Sequence, residues 1–157
     1  MPLYFAYGAN MDSAAMRLRA PNSRALGRAR LVRHKFFIMK SGYASVRRDP
    51  HANVEGVLFD LALSDVPALD RFEEVGRGLY TKAVQPVLRD GAQPVRALVY
   101  IGAETAEGRP SADYLESILT GAKGQGLPQD YIAFLASFGG TETGQGVRWR
   151  AIRAKGV

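Results

Sequence analysis

Cysteine is absent from the 157-residue chain, and its only histidines are His34 and His51, in separate segments. The first absence excludes a disulfide framework, a thiol nucleophile and a cysteine metal site, and is compatible with a reducing compartment. The second leaves a histidine metal cluster or a Ser-His-Asp triad with little to build from. No apolar run approaches the roughly 20 residues that span a bilayer, and no basic segment followed by a long apolar stretch marks a secretory leader. The expectation is a soluble, cytoplasmic, unsecreted protein without membrane contact. No internal repeat and no low-complexity linker divides the sequence. With 46% hydrophobic and 23% charged residues, the length supports one sizeable core, and a single domain over residues 1–157 is expected.

Charge is present in excess of one sign, a formal net +6. The basic residues, among them Arg17, Arg19, Arg28, Arg30, Arg33, Lys35, Arg47, Arg48 and Arg150, are scattered and mostly alternate with apolar positions, as on solvated strand faces. No helix-turn-helix, zinc finger or aromatic-basic RNA motif accompanies them. The expectation is therefore no nucleic-acid partner beyond weak, salt-dependent attraction. The same field would draw a mildly anionic small substrate.

Strands and helices alternate along the chain. Leu3 to Met11 (LYFAYGANM) is an apolar strand entering a turn, and Asp12 to Arg19 fits a short helix with Asp12 at its start. Arg24 to Met39 reads as a long or bulged strand pair, and Asn53 to Leu61 as a clear strand. Tyr80 to Leu88 and Pro94 to Ile101 flank Arg89-Asp90-Gly91, whose Asp-Gly pair is a strong hairpin signal. Tyr114, Leu115, Ile118, Leu119 and Ala122 fall at helical spacing after the cap Ser111, as do Tyr131, Phe134, Leu135 and Phe138 after Pro128. Gly146 to Ile152 alternates as a closing strand with Trp149 inward. The pattern predicts an α+β fold: a mixed sheet curling into a small β-barrel with flanking α-helices.

Two local features carry chemistry. In Tyr7-Gly8-Ala9-Asn10, Gly8 can take positive φ and Asn10 offers a donor and an acceptor. Consecutive free backbone N–H groups at a strand end suit a carboxylate or a developing oxyanion; the same residues also fit an ordinary hairpin end. In Leu63 to Glu74 (LSDVPALDRFEE), a helix capped by Ser64 with Pro67 in its first turn puts Val66, Leu69 and Phe72 on one apolar face. Glu73 falls between Val66 and Leu69, whereas Glu74 projects beside Asp70, away from the stripe. A carboxyl buried without a cation has a raised pKa, which suits a group that both accepts and donates a proton. The alternative is a helix ending at Phe72 with Glu73 capping it or facing water. The glycines of Val75-Gly76-Arg77-Gly78-Leu79-Tyr80 would then turn Tyr80 back towards Glu73.

LYFAYGANM, LDRFEEVGRGLY, the strand ending ALVY, and TGAKGQGLPQDYIAFL occur in the order seen in the gamma-glutamylcyclotransferases, and the chain resembles that family over most of its length. The resemblance implies the family's small mixed barrel with flanking helices. It makes Tyr7, Gly8, Ala9, Asn10 and Met11 the substrate loop, Glu73 the acid/base, and Tyr80 and Tyr100 pocket residues. The implied reaction closes a gamma-glutamyl amide to 5-oxoproline with loss of an amine, needs no metal or organic cofactor, and has a small gamma-glutamyl molecule as its partner. Ala9 departs from the family's usual serine, removing one side-chain hydrogen bond while leaving the backbone donors. Asn10 argues against the glutathione-degrading branch, which carries a YGSL-type loop. A cyclotransferase acting on gamma-glutamylamines and a noncatalytic binding module remain as alternatives, and nothing in the sequence specifies an oligomeric state. Gly121-Ala122-Lys123-Gly124-Gln125-Gly126 lacks the spacing of a phosphate-binding loop and follows a helix, so it reads as a helix end and connector.

Overall fold

The fold turns on one very long hairpin. In the computed structural model, which describes residues 2–139, strands β2 (Arg24–Ile38) and β3 (Ala44–Asp60) pair antiparallel along almost their whole length. Register shifts between Ala25 and Gly27 and between Val32 and His34 bend the hairpin, and these shifts coincide with positive φ at Gly27 and Arg33. A bulged strand that gains local twist can wrap around a core where a flat one cannot. The segment read as a long or bulged strand pair is therefore one bulged strand, and the strand read from Asn53 is the second half of β3.

Strand β1 (Leu3–Ala6) pairs antiparallel with β3 and parallel with β5 (Val95–Gly102), which pairs antiparallel with β4 (Tyr80–Val87). The resulting five-stranded sheet has the order β2-β3-β1-β5-β4. The β4–β5 hairpin forms where Asp90-Gly91 indicates, with Gly91 at φ 69°. The expected closed barrel is not formed. A barrel requires a hydrogen-bonded ladder between its first and last strands, whereas here the sheet edges meet at one residue pair, Arg30 and Leu88, through N–H···O contacts of 2.8 and 2.9 Å. The sheet is mixed and strongly curled, but open.

Helices α1 (Ser13–Arg19), α2 (Val66–Phe72), α3 (Ala112–Gly124) and α4 (Gln129–Ala136) complete the described architecture. Ser111 caps α3, its hydroxyl accepting from the Tyr114 N–H at 3.2 Å. Asp12 stands at the N-cap of α1 but its carboxylate makes no capping bond. Nor does Ser64 cap α2: a short 3₁₀ turn at Leu63–Asp65 precedes that helix. Asp65 there is buried and accepts from Asn22, whose backbone N–H lies 2.8 Å away. Phe5, Leu31, Phe36, Leu58, Val99, Leu115, Ile118 and Leu135 are fully enclosed. Phe36 meets Phe134 and Phe138 edge-on at 6.4 and 5.4 Å, which fastens α4 to β2. The strand expected at 146–152, with Trp149, lies outside the described residues. No described helix is long and apolar enough to cross a membrane.

Candidate active site

β1 delivers its C-terminal end to a sharp loop. Gly8 has φ −122° and ψ −135°, and a 3₁₀ turn follows at Ala9–Met11. Gly8 thus does not use the left-handed region that its identity permits. A Cβ at this position would make only ordinary contacts, 3.6 Å from Ala44 Cβ and from the Tyr114 hydroxyl, so neither φ nor a close approach sets glycine apart here. Asn10 is buried, donating from Nδ2 to the Tyr4 hydroxyl at 2.9 Å and accepting at Oδ1 from Arg19. Met11 departs from expectation: it is fully enclosed in the core below the loop and does not reach the cavity.

The other wall is the end of α2. The helix stops at Phe72, and Glu73 is its C-cap, with φ −81° and ψ 0° and its N–H bonded to the Leu69 carbonyl at 2.9 Å. Because these angles are still near-helical, the Glu73 side chain leaves the backbone in almost the direction an uninterrupted helix would give it. Glu74 then takes the left-handed conformation, φ 53°, and reverses the chain, an arrangement that costs about 1 to 2 kcal/mol for a residue with a Cβ. Gly78, at φ 79°, ends the next 3₁₀ turn and leads into β4 at Tyr80. Glu74 does not project fully away, as the helical wheel implied; it lies on the cavity rim with its carboxylate accepting from Arg77 at 2.7 Å. Phe72 is not a core residue either. It is 42% exposed, and the Arg19 guanidinium lies over its ring, 3.6 Å from the centroid.

Between these walls is a cavity of about 370 Å³, within the range of small-molecule sites. Tyr7, Gly8, Ala9, Asn10, Glu73, Tyr80 and Tyr100 all line it, although Tyr7 and Tyr100 are 93 positions apart. Sequence reasoning missed Tyr4, Arg19, Tyr43 and Tyr114 on the same lining. Tyr114 had a detectable signal, since it lies at the edge of the apolar stripe of α3, but that signal reads equally well as core. The phenols are individually fixed. Tyr7 donates to the Tyr100 carbonyl at 2.5 Å, Tyr80 to the Ala44 carbonyl, and Tyr100 to Asp70 at 2.7 Å. Lys82 holds the other Asp70 oxygen at 2.9 Å. Tyr4 and Tyr114 instead accept, from Asn10 and from the Ala44 N–H at 3.0 Å, so each keeps its own proton to donate.

Burial holds the phenols of Tyr4, Tyr7, Tyr80, Tyr100 and Tyr114 well above their ordinary acidity range. They are neutral donors at any physiological pH. Glu73 differs: burial pushes its carboxyl up to about 7, with the Arg19 charge opposing the rise. A proton carrier poised near neutrality, ringed by neutral donors and facing a loop of backbone N–H groups, is equipped for proton transfer at a small polar substrate.

Known proteins share this arrangement of elements. Residues 53–135 match the AIG2-like family. The human gamma-glutamylcyclotransferase is 30% identical over 139 aligned residues, covering 82% of this chain and 74% of the human protein. A solved structure described as a gamma-glutamyl cyclotransferase superposes with a TM-score of 0.83 at 27% identity, covering 99% of each chain. A crystal structure of a human protein described as uncharacterized superposes with a TM-score of 0.80 at 28% identity, covering 87% of this chain and 86% of that one.

Proposed function

The chain belongs to the AIG2-like family, with gamma-glutamylcyclotransferases among its relatives, and from that premise we propose that it cyclises a gamma-glutamyl amide to 5-oxoproline with Glu73 as the proton carrier. The observation that carries the reading is the position of Glu73: a carboxyl titrating near 7 and facing the Gly8–Asn10 loop across one cavity.

The substrate's alpha-nitrogen attacks its own side-chain carbonyl carbon. A carbon–nitrogen bond forms, and the carbonyl electrons move onto oxygen. Glu73, as carboxylate, takes the proton the attacking nitrogen must lose. The same carboxyl then protonates the amide nitrogen, whose bond to carbon breaks as the carbonyl re-forms, releasing 5-oxoproline and the amine. One carboxyl suffices because both nitrogens are bonded to the same carbon and so stand on one side of it. The cavity's second task is to hold the chain folded, since fixing the nitrogen beside the carbon removes most of the entropic cost of ring closure. The loop N–H groups supply a place for the substrate carboxylate or the oxyanion. Tyr4 and Tyr114, with protons free to donate, line the same space.

Incubation of the purified protein with a panel of gamma-glutamyl amino acids and gamma-glutamylamines, with 5-oxoproline measured, tests the reading. Release from at least one class is expected, and the leaving amine identifies the branch. Saturable binding of these compounds with no 5-oxoproline would turn the assignment into a binding module.

The raised acidity range makes a second expectation. Below the Glu73 pKa the carboxyl already holds its proton and cannot take one, so kcat/KM should climb as pH rises through about 7. Titration of the Glu73 carboxyl by NMR in the free protein should give the same midpoint. A midpoint in the usual carboxylate range, near 4.3, would remove the burial argument.

A further inference from the structure

We propose that Arg19 is the positioning residue of this site: it clamps the Asn10 loop to the end of α2 and so fixes where Glu73 stands relative to the substrate loop. The proposal rests on the functional reading above and deepens it.

Arg19 is the last residue of α1 and is half-buried. It is the cavity's one lining cation among the described residues. Two contacts occupy it, and they come from different walls. Its Nη1 donates to Asn10 Oδ1 on the loop, while Asn10 donates onward to Tyr4 on β1. Its planar face covers Phe72, the residue immediately before Glu73. A guanidinium can do both at once, because its donors lie in the plane and its face is free to stack. Neither contact partner is a carboxylate; Asp12, at the start of α1, also acts on the guanidinium, and the charge acts across the cavity on Glu73.

The remaining groups around Glu73 cannot take over that electrostatic task. Tyr4 of β1, Tyr7 after it, Tyr80 of β4, Tyr100 of β5 and Tyr114 of α3 are neutral phenols. Asp70 is held by Tyr100 and Lys82, and Glu74 by Arg77. Arg19 therefore carries geometry and charge together, and the two can be separated by substitution. Arg19→Lys retains the charge but lacks the planar fork; Arg19→Met retains an unbranched stem and lacks both.

The test measures the Glu73 titration in the substrate-free protein by NMR and the kinetics of 5-oxoproline formation, for the parent and both variants, with thermal melts confirming folding. In Arg19→Met the Glu73 midpoint should move upward from the parent value, and KM should rise about 10- to 100-fold, the usual effect of losing one hydrogen bond to a charged group. In Arg19→Lys the midpoint should stay near the parent's while KM rises as in the Met variant. Phe72→Leu, which removes only the stacking surface, should raise KM with the titration unchanged. An Arg19→Met protein with parental midpoint and parental KM would overturn the proposal, and so would full recovery of KM by lysine, because charge alone would then position the loop. Failure of the parent to make 5-oxoproline would instead defeat the functional reading, while the titration in the free protein would still decide whether Arg19 governs Glu73.

Discussion

Glu73→Gln should lower the rate of 5-oxoproline formation by about 10²- to 10⁴-fold, the usual contribution of a positioned acid/base group. The amide keeps nearly the same size and can still hydrogen-bond, so substrate affinity should change far less than turnover. Glu104→Gln is the matched control. That carboxylate accepts from the Ser41 N–H at 2.9 Å on an exposed loop outside the cavity, and its loss should leave the rate within a few fold. Glu73→Gln also has a stability signature, of opposite sign. A carboxyl whose folded pKa is raised to about 7 favours the folded state most at acid pH and loses that contribution as pH rises from the usual carboxylate range through 7. The Gln variant has nothing to ionise, so its melting temperature relative to the parent should increase between pH 5 and pH 8. Parental turnover in Glu73→Gln would eliminate Glu73 as the carrier. A collapse in Glu104→Gln would show that the assay reads general damage.

Glu73 also shows how far one sequence could be read. A helical wheel points it inward although the helix ends one residue earlier, because a C-cap at φ −81° and ψ 0° prolongs the helical direction of the side chain. The wheel fails for Phe72, since what covers that ring is Arg19, from a helix more than fifty positions away in the sequence. Local signals did well where the determinant is local: the Asp90-Gly91 turn, the Ser111 cap, and α4 starting after Pro128. They failed where the answer depends on which surfaces meet. Alternation in β2 and β4 says that each is a strand, but not that the backbone bridge between these two sheet edges is limited to the pair Arg30 and Leu88, just past β4, and so leaves the barrel open. Met11, next to the loop in sequence, points into the core, because the 3₁₀ turn rotates successive side chains away from one another. Tyr4, Tyr43, Tyr114 and Arg19 reach the cavity from four different segments, a convergence that no spacing in the chain encodes.

Gly121→Ala should destabilise the protein by about 1 to 3 kcal/mol, the typical cost of overpacking, even though alanine is the better helix former by about 1 kcal/mol. The sequence reads this glycine as part of a helix end and connector, but it lies inside α3 where the substrate loop packs. A Cβ there would stand 2.6 Å from the Asp12 nitrogen and 2.9 Å from the Met11 carbonyl carbon. Both are backbone atoms, so the loop itself must move. It is held there by Gln125, which donates to the Met11 carbonyl and the Ser13 hydroxyl, each at 3.1 Å. Displacing Met11 and Asp12 shifts Asn10, and a shift of about 1 Å at a site built on orientation can cost on the order of 100-fold in rate. The loss in kcat/KM should therefore exceed what the fraction unfolded explains. Gly124→Ala is the internal comparison: it lies in the same helix, a Cβ there meets nothing within 4 Å, and the change should be neutral or stabilising with activity intact. Urea unfolding of the two variants, with kcat/KM measured on the folded proteins, decides the matter. Equal effects at the two positions would mean that the close approach of helix and loop is not what requires glycine at 121.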